Sequence, residues 1–291
     1  MTNTIRRDIL TAVPVAFHQD GRLDLPGSRE ILENIKTSGV QGVLIMGTTG
    51  EFPSLSIEER RQLTELSVEV LDNMRVVAHV GAASLFEVRR LIADAREVGV
   101  TSVAVLTPYY LPASDEALVD FYRGVSEASD GLEVYVYIFT ARTGITVTPA
   151  LLAELATLPN IVGAKLSGES LDQVAAYRAA VGANFELFTG ADIDLARAAD
   201  YGAQGVISGI ASVFPKPFVC LVAALNSGDS ARIEEAQLAV NDVVATVVGD
   251  PARMKAGLRL QGINAGYARM ALDEPNADVT ADLQRAVSLY A

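Results

Sequence analysis

Lysine is scarce in this chain: Lys36, Lys165, Lys216 and Lys255 are its four. One of them stands where lysine is out of place. Lys165 closes the apolar run Ile161-Val162-Gly163-Ala164, whereas lysines ordinarily sit in solvent. Burial disfavours the charged ammonium, lowers its pKa and leaves neutral amine able to attack a carbonyl carbon. The chemistry implied is a Schiff base with a carbonyl substrate. The structural alternative is a lysine paired with a buried carboxylate, and the run itself offers no such carboxylate. Lys36 and Lys255 fall in helical patterns and Lys216 lies between two prolines, which fits solvated or structural roles. Lys165 is therefore expected to be the one desolvated lysine.

Tyr137 lies in another apolar run, Leu132 to Phe139, and a phenol placed near an imine can carry protons to and from it. A strand tyrosine also packs well in a core, and Tyr135 two residues away invites that alternative. Thr48 and Thr49 sit in the glycine-flanked segment Gly47-Thr48-Thr49-Gly50-Glu51, where a turn can aim backbone N–H groups at a carboxylate. Arg142, in Arg142-Thr143-Gly144, supplies a guanidinium suited to holding a second carboxylate in two parallel hydrogen bonds. The two histidines, His18 and His79, lack the partner spacing of a metal site, and none is expected.

These residues need a scaffold that brings them together. Short β-rich apolar runs recur at Ile9 to Phe17, Gly42 to Met46, Val76 to Val80, Ser102 to Thr107, Leu132 to Phe139, Ile161 to Lys165, Phe185 to Phe188 and Gly205 to Ser208. Amphipathic stretches follow them, several opening on a helix-start pattern such as Ser56-Ile-Glu-Glu, Ser114-Asp-Glu-Ala or Thr148-Pro-Ala-Leu, which offer side-chain oxygens to orphan N–H groups. Repeated βα units whose strands read as buried on both faces imply an α/β (β/α)8 TIM barrel over residues 1–225. From residue 226 to 291 the pattern is helical only, around Ala231 to Val248, Pro251 to Gln261 and Val279 to Leu289, a C-terminal helical extension. In such a barrel the chemistry lies where the strands end, and Lys165, Tyr137 and the Gly47–Glu51 segment all fall there.

At 291 residues, half of them hydrophobic, the chain can bury one large core. A net charge of -13 argues against nucleic acid or an anionic membrane as partner. A single cysteine, Cys220, excludes an intrachain disulfide, and its neighbours Phe218-Val219 and Leu221-Val222 suggest a packed thiol. No apolar stretch near Met1 suits a signal peptide or membrane span, so a cytoplasmic protein is expected.

Taken together, Gly47-Thr-Thr-Gly-Glu51, Thr107-Pro-Tyr-Tyr110, Tyr137 with Arg142-Thr-Gly144, Gly163-Ala-Lys165, Thr189-Gly-Ala-Asp192 and Gly205-Val-Ile-Ser208 resemble the dihydrodipicolinate synthase and N-acetylneuraminate lyase family. Its members are class I aldolases on a (β/α)8 barrel with a helical tail. The resemblance implies that Lys165 forms an imine with a 2-oxo acid such as pyruvate, and that Tyr137, Thr48 and Tyr110 form a proton relay. Tyr110 would come from a neighbouring subunit of a homodimer or homotetramer. The backbone of Thr48 and Thr49 would hold the pyruvate carboxylate, with Gly190 and Ile207 also binding substrate. Arg142 would meet a carboxylate of an aldehyde partner. No metal or organic cofactor is implied.

The resemblance leaves the second substrate open. Arg142-Thr143-Gly144 is the synthase-like arrangement for aspartate semialdehyde, as in 4-hydroxy-tetrahydrodipicolinate synthase. Ile138-Phe139-Thr140-Ala141, Leu111-Pro112 and Phe52-Pro53 lean towards aldolases or dehydratases of 2-oxo-3-deoxy sugar acids. A non-catalytic 2-oxo acid binding protein is the alternative of another class, although such a protein would need the carboxylate site and not the relay.

Overall fold

The computed structural model describes residues 6–291. Eight strands, β1 (Asp8–Ala12), β2 (Gly42–Ile45), β3 (Arg75–His79), β4 (Ser102–Leu106), β5 (Glu133–Ile138), β6 (Ile161–Leu166), β7 (Glu186–Thr189) and β8 (Gly205–Ser208), close into a parallel barrel in chain order. The connections carry α1 (Leu25–Lys36), α2 (Ile57–Val70), α3 (Leu85–Val98), α4 (Asp115–Ala128), the short α5 (Thr140–Thr143), α6 (Pro149–Leu155), α7 (Leu171–Ala180) and the short α8 (Leu195–Ala198). After β8 comes α9 (Pro215–Ser227), and then α10 (Ser230–Val247), α11 (Pro251–Leu260) and α12 (Ala277–Tyr290), the helical C-terminal part. The expected fold class is the one found, and the strands lie within a few residues of their expected positions.

The largest difference is at the first strand, expected to reach Phe17 but ending at Ala12. Pro14 has no N–H to give a ladder, and Val13 makes the last bond, to the Leu44 carbonyl at 3.0 Å. Phe17 instead forms isolated bridges to Leu23 and Tyr267. The helix starts follow their caps. Ser56 and Glu59 form a reciprocal capping box on α2, Ser114 accepts from Ala117 N–H on α4, and Thr148 accepts from Leu151 N–H ahead of a proline in the first turn of α6. Such caps stabilise a helix by about 1 kcal/mol each.

The described chain forms two compact units. One, Val76–Val206 with Arg6 and Arg7, carries β4 to β7 hydrogen-bonded in sequence, and packs α3 on α4, α4 on α6 and α6 on α7. The other, Asp8–Arg75 with Ile207–Ala291, pairs β1 with β2 and packs α1 on α2, α9 on α10, and α12 on both α10 and α11. In the first unit the register sets Tyr137 beside Lys165 and Tyr135 beside Gly163. Side chains alternate along a strand, so both tyrosines share one face of β5.

Cys220 is exposed, not packed as its apolar neighbours suggest. It lies on α9, whose buried face is Pro217, Phe218, Leu221 and Ala224. With 3.6 residues per turn, position 220 points away from that stripe whatever its neighbours' polarity.

Candidate active site

In the first unit, Lys165 lies at the C-terminal end of β6, 5% exposed, with Nζ 4.3 Å from the centroid of the Tyr137 ring. Among the described residues no carboxylate pairs with it. The two tyrosines of β5 separate cleanly. Tyr135 hydrogen-bonds Glu186 at 2.7 Å, and its ring covers Gly163, where an added Cβ would lie 2.5 Å from Tyr135 Cε1. Tyr135 is thus a packing residue in the space glycine leaves. Tyr137 is 1% exposed, meets His79 edge-on at 5.9 Å and stacks on Phe139 at 6.3 Å. Phe139 in turn faces the exposed Arg142 guanidinium, 5.8 Å from its ring. Among the described residues Arg142 has no carboxylate partner, so its fork remains available for a ligand.

The loop bearing Arg142 is held by hydroxyls. Thr107 donates its N–H to the Tyr137 carbonyl (3.1 Å), and its Oγ1 bonds Thr143 Oγ1 (3.2 Å), which itself reaches the Phe139 carbonyl (3.2 Å) and accepts from Ile145 N–H (3.2 Å). These bonds tie α5 to the end of β4. Gly190 N–H bonds the Leu166 carbonyl at 2.6 Å, and a Cβ there would stand 2.9 Å from Ser167 Oγ, so β7 closes in beside Ser167 only because position 190 has no side chain. Tyr110 is 92% exposed with φ +81°, and Leu111 beside it is 70% exposed. Near α5 lies a cavity of about 480 Å³ lined in part by Thr140, Val147, Gly168, Glu169 and Tyr177. Burial raises the Glu169 carboxyl against a hydrogen bond from Thr140, and burial, with that carboxylate nearby, pushes the Tyr177 phenol up to about 12.

In the second unit, Gly47–Glu51 forms a tight turn after β2, closed by Gly50 N–H to the Gly47 carbonyl (3.1 Å) and Glu51 N–H to the Thr48 carbonyl (3.0 Å). Met46 (φ +54°) and Glu51 (φ +55°) bracket it in the left-handed region, at a cost of roughly 1–2 kcal/mol per residue that other contacts must offset. Space around the turn is tight: a Cβ at Gly209 would lie 2.8 Å from Thr49 Oγ1 and 2.7 Å from Met254 Cε. Ile207 is buried in β8.

Glu51 supplies the offset. Its fully buried carboxylate pairs with the equally buried Lys255 on one oxygen and accepts backbone N–H bonds from Arg269 (2.9 Å) and Met270 (2.7 Å) on the other. Lys255 also donates to the Tyr267 carbonyl at 2.7 Å and lies 4.6 Å over the Phe17 ring. Burial draws its pKa down, opposed by the Glu51 charge. Lys165 is therefore not the one desolvated lysine, and the buried lysine with a buried carboxylate is Lys255. Lys36 pairs with Asp72 on the surface, and Lys216 is exposed. Arg269 donates to both oxygens of Glu59 (2.8 and 2.6 Å) and to the Gly21 and Ser54 carbonyls (both 2.8 Å). Its guanidinium holds the Glu59 carboxyl below the usual range.

Of the expected site residues, the first unit brings Lys165 and Tyr137 into direct contact, links Arg142 to them through Phe139, and sets Gly190 beside the end of β6; Tyr110 stands apart on the surface. The second unit holds Thr48 and Thr49 in one turn, with Ile207 two residues before the glycine that Thr49 abuts. Sequence reasoning passed over Phe139 as a contact, the Thr107–Thr143 bond, and the Glu51–Lys255 pair. Glu51 ends the Gly47–Glu51 motif, but nothing in the sequence points to a partner 204 residues away.

Known proteins resemble this chain along nearly its whole length. The profile of the Dihydrodipicolinate synthetase family matches residues 6–289. The 4-hydroxy-tetrahydrodipicolinate synthase of Methanothrix thermoacetophila is 32% identical over 269 residues, spanning 91% of this chain and 90% of that protein. Dihydrodipicolinate synthase DapA-2 from Bacillus anthracis shares the fold with a TM-score of 0.91 at 24% identity, over 98% of each chain. The structure of YagE, a prophage protein of the dihydrodipicolinic acid synthase family from E. coli K12 in complex with pyruvate, superposes with a TM-score of 0.89 at 26% identity, over 97% of each chain. The family profile and a relative above 30% identity over nine-tenths of the chain lead to one conclusion: this protein belongs to the dihydrodipicolinate synthetase family of lyases and synthases.

Proposed function

We propose that this protein is a pyruvate-dependent class I aldol lyase or synthase that joins pyruvate to an aldehyde bearing a carboxylate, as 4-hydroxy-tetrahydrodipicolinate synthase does with aspartate semialdehyde. The observation that carries the reading is Lys165 Nζ, buried, without a carboxylate partner among the described residues, and lying over the Tyr137 ring. The Lys165 amine adds to the ketone carbon of pyruvate, water leaves, and the iminium forms. The iminium draws electrons from the adjacent methyl group, which loses a proton to give an enamine. The enamine carbon adds to the aldehyde carbon, the new alkoxide takes a proton, and water releases the product from Lys165. Tyr137 moves the protons, with Thr48 and Tyr110 completing the relay, Tyr110 reaching a neighbouring subunit of a homodimer or homotetramer. The N–H groups of Thr48 and Thr49 hold the pyruvate carboxylate, with Gly190 and Ile207 shaping its surroundings. Arg142 receives the carboxylate of the aldehyde.

A second reading, cleavage or dehydration of a 2-oxo-3-deoxy sugar acid, is favoured by the cavity near α5, where Thr140 and the half-buried Glu169 offer partners for hydroxyl groups. Both readings share the imine. Incubation with pyruvate and borohydride is expected to add one reduced pyruvate per chain, located by peptide mass spectrometry at Lys165. An adduct confined to Lys36, Lys216 or Lys255, or none, would overturn the mechanism. A turnover screen of pyruvate against aspartate semialdehyde and glyceraldehyde then separates the two acceptors.

A further inference from the structure

We propose that Lys255 and the chain at Tyr267–Met270 are positioning elements of the 2-oxo acid site: they fix the Gly47–Glu51 turn through the Glu51 carboxylate, so that the C-terminal helical part sets affinity for the 2-oxo acid without touching it. The inference rests on the proposed role of Thr48 and Thr49 and deepens it.

The turn cannot hold its shape by local bonds alone. Two non-glycine residues in left-handed conformations bracket it, and the carbonyls of Gly47 and Thr48 are already occupied in closing it. Its far end is pinned by a side chain that leaves no polar atom idle. One Glu51 oxygen meets Lys255 Nζ, and the other meets the N–H groups of Arg269 (2.9 Å) and Met270 (2.7 Å). Those two residues are themselves anchored. Tyr267 N–H bonds the Phe17 carbonyl at 2.9 Å, and Gly266 approaches so closely that a Cβ would lie 2.4 Å from the same oxygen. The Arg269 guanidinium lies 4.1 Å over the Phe17 ring and clasps Glu59 at the start of α2. The turn therefore sits between α2 and the 267–270 segment, with one buried charge pair as its fastening.

A buried ion pair broken on one side leaves an uncompensated charge, the costly outcome. In Lys255→Met the Glu51 carboxylate must protonate, admit water or move, and any of these shifts the turn. The reacting groups of β5 and β6 are left as they were. The expected signature is a split: the pyruvate concentration giving half-maximal borohydride-trapped adduct at Lys165 rises about ten-fold or more, while the saturating extent stays at one adduct per chain. Glu51→Gln keeps an acceptor for the two N–H groups and loses the charge facing Lys255, so it should give a smaller rise of the same kind. Tyr122→Phe, which removes a buried hydroxyl bonded to the Val105 carbonyl at 2.9 Å, lowers stability elsewhere and should leave the half-saturation unchanged.

The measurement is made on each variant that thermal unfolding shows to be folded, with Glu51→Gln the milder substitution if Lys255→Met does not accumulate. A raised half-saturation in the turn variants but not in Tyr122→Phe supports the proposal. Half-saturation within two-fold of the unaltered protein, or raised equally in Tyr122→Phe, overturns it while the Schiff-base reading stands. No adduct in the unaltered protein overturns that reading, and this inference with it.

Discussion

At the scale of the residue, the role proposed for Arg142 separates the two candidate acceptors. Its guanidinium is exposed and lies over the Phe139 ring; a planar fork of this kind matches a carboxylate through two parallel hydrogen bonds. Phe139 links this arginine to Tyr137 by stacking on both, so the guanidinium and the Tyr137 phenol are held in one row of side chains. Replacing Arg142 by alanine is expected to lower kcat/KM for a carboxylate-bearing aldehyde by about 10²-fold. Neutral aldehydes should change little, and adduct formation with pyruvate at Lys165 should persist. Equal small losses for both classes would move the assignment to a sugar-acid aldolase that recognises hydroxyls through groups such as Thr140 and Glu169.

At the scale of the element, α2 and the segment after α11 are joined by a carboxylate with two duties. Glu59 caps α2 by accepting from Ser56 N–H and receives both arms of Arg269. The hydrogen bonds from Arg269, ahead of the opposing effect of burial, hold its pKa below the reference value of 4.5. A carboxyl lowered in the folded state contributes stability that is complete above the unfolded pKa and is lost as pH falls through the folded one. Glu59→Gln should therefore destabilise the protein by about 1 kcal/mol at pH 7, a modest figure because the pair stays partly open to solvent and glutamine keeps the acceptor for Ser56 N–H. The gap should close as pH drops below about 4. Chemical denaturation of both proteins between pH 3 and 7 measures it; a gap that stays constant with pH would show that the loss is of the cap and not of the ion pair. The same region marks the limit of what the sequence makes legible. Period, caps and strand ends foretold the barrel, the helical tail and the placement of Lys165 beside Tyr137, because these depend on neighbours in the chain. The ion-pair partners of Glu51 and Glu59, Lys255 and Arg269, lie across more than 200 residues, and no local pattern encodes such a pairing. Cys220 failed for a related reason: α9 is apolar around much of its circumference, so composition does not say which face is buried.

At the scale of the whole molecule, the surface at Tyr110 bears on assembly. Tyr110 is 92% exposed in a left-handed backbone conformation, next to an exposed Leu111. Large apolar side chains presented together on a surface mark contact sites, and a phenol held outward there can serve a second copy of the chain. If the relay is completed across subunits, a site needs Lys165 from one chain and Tyr110 from another. Two inactive variants then become a test. Lys165→Ala lacks the nucleophile but presents a sound Tyr110, and Tyr110→Phe has the reverse defect. Mixed through a reversible dissociation step, equal amounts of the two should form hybrid assemblies in which one kind of site is intact. In a symmetric dimer half of the assemblies are hybrids and half of their sites are whole, so activity should recover to about a quarter of the unaltered value. Each variant alone, treated in the same way, should stay near its own residual rate. Sedimentation of the mixture confirms that assemblies have re-formed. Re-formed assemblies with no recovered activity would place Tyr110 in the same chain as the lysine it serves, and a Tyr110→Phe variant that keeps its activity alone would place it outside the relay.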